Sequence, residues 1–204
     1  DYVDIFYHHR MDKETPLEET MGALDSIVKS GKALYAGLSN YDGETMKKAS
    51  SILKELRCPF VINQNSYSIF NRTIENNGLK AACNETSKGL IVFSPLAQGV
   101  LTDRYLNGIP GDSRVYTDGR FLNEKSLTEE KLAKVRKLNA IALDRGQTLA
   151  QMALAWVYNH KEVTSVLIGA SRPSQILDNL GMLKNTSFTS DELSVIEQIV
   201  KVDG

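Results

Sequence analysis

Cysteine is scarce in this chain of 204 residues: there are two, Cys58 and Cys83, and neither has the spacing of a metal site or a disulfide framework. They read as reduced thiols, which points to a cytoplasmic protein. Charge of one sign is also missing, since 24 Lys and Arg against 25 Asp and Glu leave a formal −1. Such a chain has no field for gripping nucleic acid or an anionic membrane, and neither is an expected partner. No apolar run approaches the roughly 18–20 residues of a membrane span. The start shows no signal-peptide pattern, and no metal is expected. At 42% hydrophobic residues, the chain should form one globular domain or most of one.

What the chain does have is a recurring strand that ends in hydrogen-bonding side chains. Residues 33–40 read Ala-Leu-Tyr-Ala-Gly-Leu-Ser-Asn, and residues 60–65 read Phe-Val-Ile-Asn-Gln-Asn. Parallel strands buried on both faces appear as continuous apolar runs, and chemistry in such folds gathers at their carboxyl ends. Ser39-Asn40 and Asn63-Gln64 therefore look like one wall of a polar site. A primary amide suits that wall, because Asn and Gln both donate and accept.

Apolar runs begin near Val3, Ala33, Phe60, Gly89 and Val163. The first four are spaced by roughly 30 residues, the length of a βαβ repeat. Helical patterns lie between them, at about Leu17–Ser30, Glu44–Leu56 and Leu79–Ser87. An irregular stretch from Ser94 to about Leu127 precedes two further helices. Leu132, Val135, Leu138 and Ile141 mark the first, which stops at Gly146. Leu149, Met152, Ala153, Trp156 and Val157 mark the second. Pro173 opens another helix, and Thr189 with Glu192 forms a capping box for the last, with Phe188 and Leu193 placed as a hydrophobic staple. Five parallel βα units are fewer than the eight that close a barrel. The pattern predicts an open doubly wound sheet or the C-terminal part of a barrel, and periodicity does not choose between them.

Five ordered motifs narrow the choice. They are residues 1–10 (Asp-Tyr-Val-Asp-Ile-Phe-Tyr-His-His-Arg), 37–41 (Gly-Leu-Ser-Asn-Tyr), 63–68 (Asn-Gln-Asn-Ser-Tyr-Ser), 93–96 (Phe-Ser-Pro-Leu) and 168–172 (Ile-Gly-Ala-Ser-Arg). In order and spacing, over essentially the whole chain, they resemble the aldo-keto reductase family. Residues 97–102 and 105–110 are closest to the branch that includes bacterial L-glyceraldehyde 3-phosphate reductase and potassium-channel β-subunits. The resemblance implies an α/β fold, a (β/α)8 TIM barrel that binds NADPH extended at its C-terminal face. Val3–Tyr7 would be the fourth strand, so the chain would supply about strands 4–8 and the C-terminal helices. On that view residues 1–204 are the C-terminal part of a single barrel domain, with 94–127 a long cofactor and substrate loop within it. The chain, which opens at Asp1, is then expected to be N-terminally truncated relative to its parent. Of the family's catalytic Asp, Tyr, Lys and His, the His alone maps here, onto His9.

Alternation along the first strand puts Val3, Ile5, Tyr7 and His9 on one face and Asp4, Phe6 and His8 on the other, so the two histidines make a poor chelate. A histidine closing a strand reads by itself as structural before catalytic. The resemblance makes His9 the residue that donates to the carbonyl oxygen. It also implies that Ser39, Asn40 and Gln64 hold the nicotinamide carboxamide, that Phe93 stacks on the ring, and that Ser94, Leu96 and Gln98 run along the pyrophosphate. At the adenine end a physical argument stands beside it. A helix opened by Pro173 presents free N–H groups and a positive dipole end to phosphate, and Arg172 adds a suitable charge. By resemblance, Ser171, Arg172 and Gln175 contact the 2′-phosphate, with Asp178 and Asn179 near the adenine. Ala170 stands where many members carry Lys, and Gln175 near where they carry Arg.

The 94–127 stretch is too long for an ordinary connector, and Gly99, Gly108, Pro110, Gly111 and Gly119 suit a flexible flap. Arg104, Arg114 and Arg120 read either as attractors of a phosphorylated substrate or as surface charges. Arg72 matches a position shared within the branch, with no role attached. The expected function is NADPH-dependent reduction of a small aldehyde or ketone, glyceraldehyde 3-phosphate being one candidate. The alternatives are a β-subunit-like regulatory protein that holds NADPH with little turnover, and an inactive truncated fragment. Five strands leave two edges that need cover, so a homo-oligomer is also an expectation.

Overall fold

The computed structural model describes residues 1–111, 113–117, 122 and 127–201. Two compact units divide the chain: residues 1–67, 72–93 and 161–167 form the first, and 68–71, 94–160 and 168–204 the second.

The first unit is built on five parallel strands, β1 (Val3–His8), β2 (Ala33–Ser39), β3 (Phe60–Ser66), β4 (Gly89–Phe93) and β5 (Ser165–Val166). Their order is β1-β2-β3-β4-β5, each strand beside its neighbour in sequence. A doubly wound sheet reverses direction at a switch point, and this sheet never does. With right-handed crossovers, every connecting helix then falls on the same face. These helices are α1 (Leu17–Lys29), α2 (Gly43–Glu55), α3 (Thr73–Asn76) and α4 (Leu79–Glu85). Accordingly α1 packs on α2, α2 on α4, and α4 on β4. A parallel sheet that advances in one direction with its helices outside is an arc of a (β/α)8 barrel, which decides the question that periodicity left open.

On the helix side Ala36, Leu38, Leu90 and Val92 are fully buried, as are Met21, Met46, Ala49, Leu53 and Leu79 of the helices. The inner face carries Ile5, Tyr7, Gly37, Ile62, Gln64, Ile91 and Phe93, as register and alternation require. Here the strands depart from the expected burial on both faces: Val3 and Tyr35 are 48% and 42% exposed. Within this unit, an arc of five strands supplies no opposite wall. The fifth strand is shorter than its apolar run suggests. Thr164 replaces one rung of the ladder with its side chain, its Oγ1 accepting from the Leu90 N–H at 3.1 Å.

Gly37 shows why one strand position must lack a side chain. A Cβ there would lie 2.7 Å from both Cδ1 and Cε1 of Tyr7. Gly37→Ala is therefore expected to push the Tyr7 ring aside and cost about 1–3 kcal/mol by overpacking, read as a lower denaturation midpoint. An unchanged midpoint would contradict this packing.

The second unit is helical. It contains α5 (Arg114–Thr117), α6 (Glu129–Asp144), α7 (Leu149–Tyr158), α8 (Pro173–Leu180) and α9 (Ser190–Val200). α6 packs on α7 and α9, and α7 on α8, around Val135, Leu138, Ala142, Met152, Trp156 and Ile196. The local signals act where expected. Gly146 ends α6 at φ 67°, and the Thr189–Glu192 box caps α9 through bonds of 2.6 and 3.2 Å. Phe188 also takes a role the staple did not foresee, lying 3.7 Å beneath the Arg145 guanidinium. The stretch after β4 is less loose than a glycine-rich flap implies. It forms short turns at 97–99 and 103–105, buries Val100, Leu101, Tyr105, Leu122 and Leu127, and bonds the Tyr105 hydroxyl to Ser113 Oγ at 3.0 Å. Gly119 and Arg120 lie outside the described residues, as does the side chain of Arg114.

Both cysteines are buried and free. Burial raises the Cys58 thiol and pushes Cys83 up to about 11, so neither is poised as a nucleophile or ligand. Among the described residues, no helix is long and apolar enough to cross a membrane.

Candidate cofactor and carbonyl site

One residue of the first unit ties three strand ends together. Asn40 follows β2 at φ 61°, a left-handed conformation that Asn tolerates. Its backbone N–H donates to the Gln64 carbonyl oxygen at 3.0 Å and to Asn65 Oδ1 at 2.9 Å. Its Nδ2 donates to the His9 carbonyl oxygen at 2.9 Å and to Ser39 Oγ at 3.1 Å. The ends of β1, β2 and β3 are thereby held in one place. The Asn40 Oδ1 has no protein partner among the described residues, so an acceptor remains there for a ligand.

The predicted wall divides by strand alternation. Ser39 and Gln64 are register partners on the inner face. Burial holds the Tyr7 phenol above its ordinary 10, with the nearby Gln64 amide pulling the other way. Asn63 points to the helix side, fully buried. It donates Nδ2 to Asn65 Oδ1 at 2.9 Å, and Asn65 Nδ2 donates to the Tyr41 carbonyl oxygen at 3.1 Å. Asn63 thus belongs to a support behind the wall, not to the wall itself. Asn65 is a supporting residue that the sequence reading passes over, and the run of three amides is the signal for it. Phe93, half-buried, ends β4 on the same face as Gln64.

The two histidines differ in their surroundings. His8 lies on the helix side, its Nδ1 2.8 Å from the Tyr41 hydroxyl, beside a cleft of about 410 Å³ that Phe6, Asp12 and Thr20 also line. Burial, then the neighbouring His9, hold His8 below its ordinary 6.5, and burial pushes Tyr41 up to about 12. His9, just past the end of β1, is exposed, with its carbonyl anchored by Asn40. Among the described residues, no three His, Cys, Asp or Glu are grouped to hold a metal. Arg72 plays a structural part. Its Nε and Nη2 grip Glu75 at 2.7 and 2.6 Å, and the buried Tyr67 hydroxyl donates to the same carboxylate.

In the second unit, Gln98 Nε2 donates to Ser94 Oγ at 3.0 Å, joining two of the residues expected along the pyrophosphate. Leu96, half-buried between them, accepts from the Gly99 and Leu101 N–H groups. Ser94, Ala97 and Gln98 have φ of 55°, 48° and 61°, a concentration of strain of the kind functional segments hold. At the start of α8, the Gln175 Oε1 accepts from the Ser171 N–H (2.7 Å), the Ser171 hydroxyl (3.2 Å) and the Arg172 N–H (3.2 Å). Three donors thus converge on one oxygen, as they would on a phosphate oxygen. Arg172 and Asp178 are exposed, the latter accepting through its carbonyl from Gln151 at 2.7 Å. Asn179 is 8% exposed and so buried in this unit. Arg104 lies in the 103–105 turn, with an exposed side chain.

The model of the aldo/keto reductase family matches residues 1–201. The chain belongs to this family. It is 48% identical over 201 residues to the L-glyceraldehyde 3-phosphate reductase of Escherichia coli O157:H7, covering 97% of this chain and 58% of that protein. A probable voltage-gated potassium channel subunit beta of Oryza sativa subsp. japonica is 35% identical over 205 residues, with coverages of 98% and 62%. Among solved structures, a thermostable aldo-keto reductase in complex with the inhibitor epalrestat superposes with a TM-score of 0.71 at 27% identity, covering 98% of this chain and 60% of that one. The chain therefore spans 58–62% of the length of these family members. The branch expected from residues 97–110 is the one in which the reductase and channel-subunit relatives fall.

Proposed function

We propose that the protein reduces small aldehydes with NADPH, and that this chain supplies the carbonyl-polarising His9 and the wall that holds the cofactor. The observation that carries this reading is the Asn40 staple, which fixes the ends of the strands bearing His9, Ser39 and Gln64. The residues fit the group. Ser39, the open Asn40 Oδ1 and Gln64 offer both donor and acceptor to a carboxamide, and the donors at Gln175 match an anionic oxygen. NADPH, when bound, supplies the hydride. Ser39, Asn40 and Gln64 then fix which face of the nicotinamide is presented, and Phe93 offers a π-face to it. Ser94, Leu96 and Gln98 follow the pyrophosphate. Ser171, Arg172 and Gln175 hold the 2′-phosphate, with Asp178 and Asn179 toward the adenine. His9 donates an imidazole N–H to the carbonyl oxygen as negative charge develops there. Of the family's Asp, Tyr, Lys and His, this chain matches the His alone, so proton delivery is assigned to none of its residues.

Residues 1–204 are read as part of one barrel domain, with 94–127 as its cofactor and substrate loop, in a cytoplasmic protein. A phosphorylated three-carbon aldehyde is the favoured substrate, since the relatives named for L-glyceraldehyde 3-phosphate are 48–49% identical. The channel-subunit relatives, at 35–37%, support the second reading, a protein that holds NADPH with little turnover. Turnover of glyceraldehyde 3-phosphate with NADPH separates the two. A titration with NADPH and NADH, followed through Trp156 and nicotinamide fluorescence, tests the cofactor. Saturable binding that prefers NADPH is expected. Arg172→Ala should weaken NADPH by about 10–100-fold, the worth of a hydrogen bond to a charged group, and leave NADH unchanged. Equal affinity of the unaltered protein for both cofactors would reject the 2′-phosphate site.

A further inference from the structure

We propose that Asn65 is a positioning residue for the nicotinamide end of the cofactor, setting the backbone of Asn40 and, through it, the atom that meets the carboxamide. The inference rests on the reading of Asn40 given above. On the helix side of the sheet, Leu38, Leu90 and Val92 are apolar and fully buried, as a covered parallel strand requires. β3 breaks that pattern with two amides, Asn63 at 0% and Asn65 at 8% exposure. Asn65 Oδ1 accepts from the Asn40 N–H and from Asn63 Nδ2, both at 2.9 Å, and Asn65 Nδ2 donates to the Tyr41 carbonyl oxygen at 3.1 Å. Turned over, the amide would set its NH2 against two donors and its oxygen against a carbonyl, so its orientation is fixed. Asn63 spends its NH2 on this bond and leaves its Oδ1 without a protein partner among the described residues. An open buried acceptor costs stability, so stability alone does not account for the pair.

One side chain thus brackets residues 40–41, taking the N–H of the first and the carbonyl of the second. It stands in for the next rung of the ladder just where β2 ends at Ser39 and the chain leaves the sheet. Asn40 has φ 61° there, a conformation that a residue with a side chain holds when its surroundings impose it. With the backbone so set, Asn40 Nδ2 bonds both the His9 carbonyl oxygen and Ser39 Oγ. Its two N–H donors are spent, and what it keeps for a ligand is Oδ1, an acceptor. That oxygen accepts from the NH2 of a nicotinamide carboxamide and has nothing to offer a methyl ketone. Without Asn65, residues 40–41 lose two bonds and the Asn40 amide is released from that geometry. Asn65 itself reaches no carboxamide, because alternation sets it on the opposite face of β3 from Gln64.

Calorimetric titration of the intact protein with three ligands tests this: NADP, its 3-acetylpyridine analogue (a methyl group in place of the carboxamide NH2), and 2′-phospho-ADP-ribose, which lacks the nicotinamide. The unaltered protein should prefer NADP to the analogue. Asn65→Ala should weaken NADP by roughly three- to tenfold, the worth of one neutral hydrogen bond. The analogue and 2′-phospho-ADP-ribose should bind as before, so that the discrimination shrinks. Asn65→Ser, whose hydroxyl is too short to span both backbone groups, should do the same and serves if Asn65→Ala does not fold. Asn40→Gly tolerates the left-handed backbone and removes the amide. It should shrink the preference at least as far, and adding Asn65→Ala to it should weaken NADP no further. Equal weakening of all three ligands by Asn65→Ala, or an additive loss in the double variant, would make Asn65 a structural residue and overturn the proposal. So would an unchanged preference in Asn65→Ala when Asn40→Gly shrinks it. If Asn40→Gly leaves the preference intact, or the unaltered protein shows none or binds no NADP, the carboxamide reading itself fails and this inference falls with it.

Discussion

Replacing His9 with Ala is expected to lower kcat/KM for a small aldehyde by about 10²–10³-fold, the range for losing one donor to a developing oxyanion. NADPH affinity should stay within about twofold, well below the effect of a lost charged contact. The separation follows from how the strand end is built. Asn40 grips the backbone carbonyl of His9, not its ring, so deleting the imidazole leaves the staple and the cofactor wall intact. The ring is exposed, so its removal opens no buried hole. His8 cannot stand in for it, because its Nδ1 is engaged by Tyr41 on the opposite face of the strand. Steady-state kinetics with glyceraldehyde 3-phosphate, beside a cofactor titration, checks the prediction. Loss of NADPH binding in step with turnover would show that His9 serves the wall and not the carbonyl. Unchanged turnover would remove it from the chemistry altogether.

The same strand shows what a sequence can and cannot disclose. The period of the apolar runs and the local caps place most elements within a residue or two, because both are short-range: Thr189 finds Glu192 three residues away wherever the helix goes. Barrel against doubly wound sheet is beyond the reach of periodicity, since strand order is a matter of long-range pairing. In the site, alternation assigns His9 to the face of Tyr7. The Asn63-Gln64 pair reads as a set because both are amides, yet the same alternation sends Asn63 to the helix side. Tyr7 passes for an ordinary aromatic in an apolar run. Its packing depends on Gly37, 30 residues later, whose missing side chain acquires meaning only when the two are register partners. Arg145 escapes notice for a related reason. A cation after a helix normally reads as solvated, and the groups that enclose this one lie 40 residues or more along the chain, at Asn185, Ser187, Phe188 and Glu192.

Arg145→Ala is expected to cost about 3 kcal/mol, near the lower end for breaking a buried pair. The Arg145 side chain is 3% exposed while its partner Glu192 keeps 26%, so the stranded carboxylate can recover some water. The guanidinium uses four of its five N–H donors: Nη1 to Glu192 at 2.7 Å, Nε to Gln147 at 2.9 Å, and Nη2 to the carbonyls of Ser187 at 2.8 Å and Asn185 at 3.3 Å. With Phe188 stacked beneath it, one side chain fastens the 185–192 segment, and with it the start of α9, to the end of α6. Arg145→Lys restores a charge opposite Glu192 but not the planar fork or the stack, and should recover less than half of the loss. Urea denaturation reads the difference, and hydrogen exchange should show α9 opening first. Acid supplies an independent check. Burial alone would raise the Glu192 carboxyl, but the Thr189 N–H and the Arg145 guanidinium hold it below its ordinary 4.5. A group depressed by folding contributes its stability above the unfolded pKa and loses it as pH falls through the folded value. The gap between the unaltered protein and Arg145→Ala should therefore be full at neutral pH and narrow below about 4.5 as Glu192 protonates. A gap that stays constant across that window would mean that the ion pair contributes nothing, and that Arg145 acts through Phe188 and the backbone carbonyls alone.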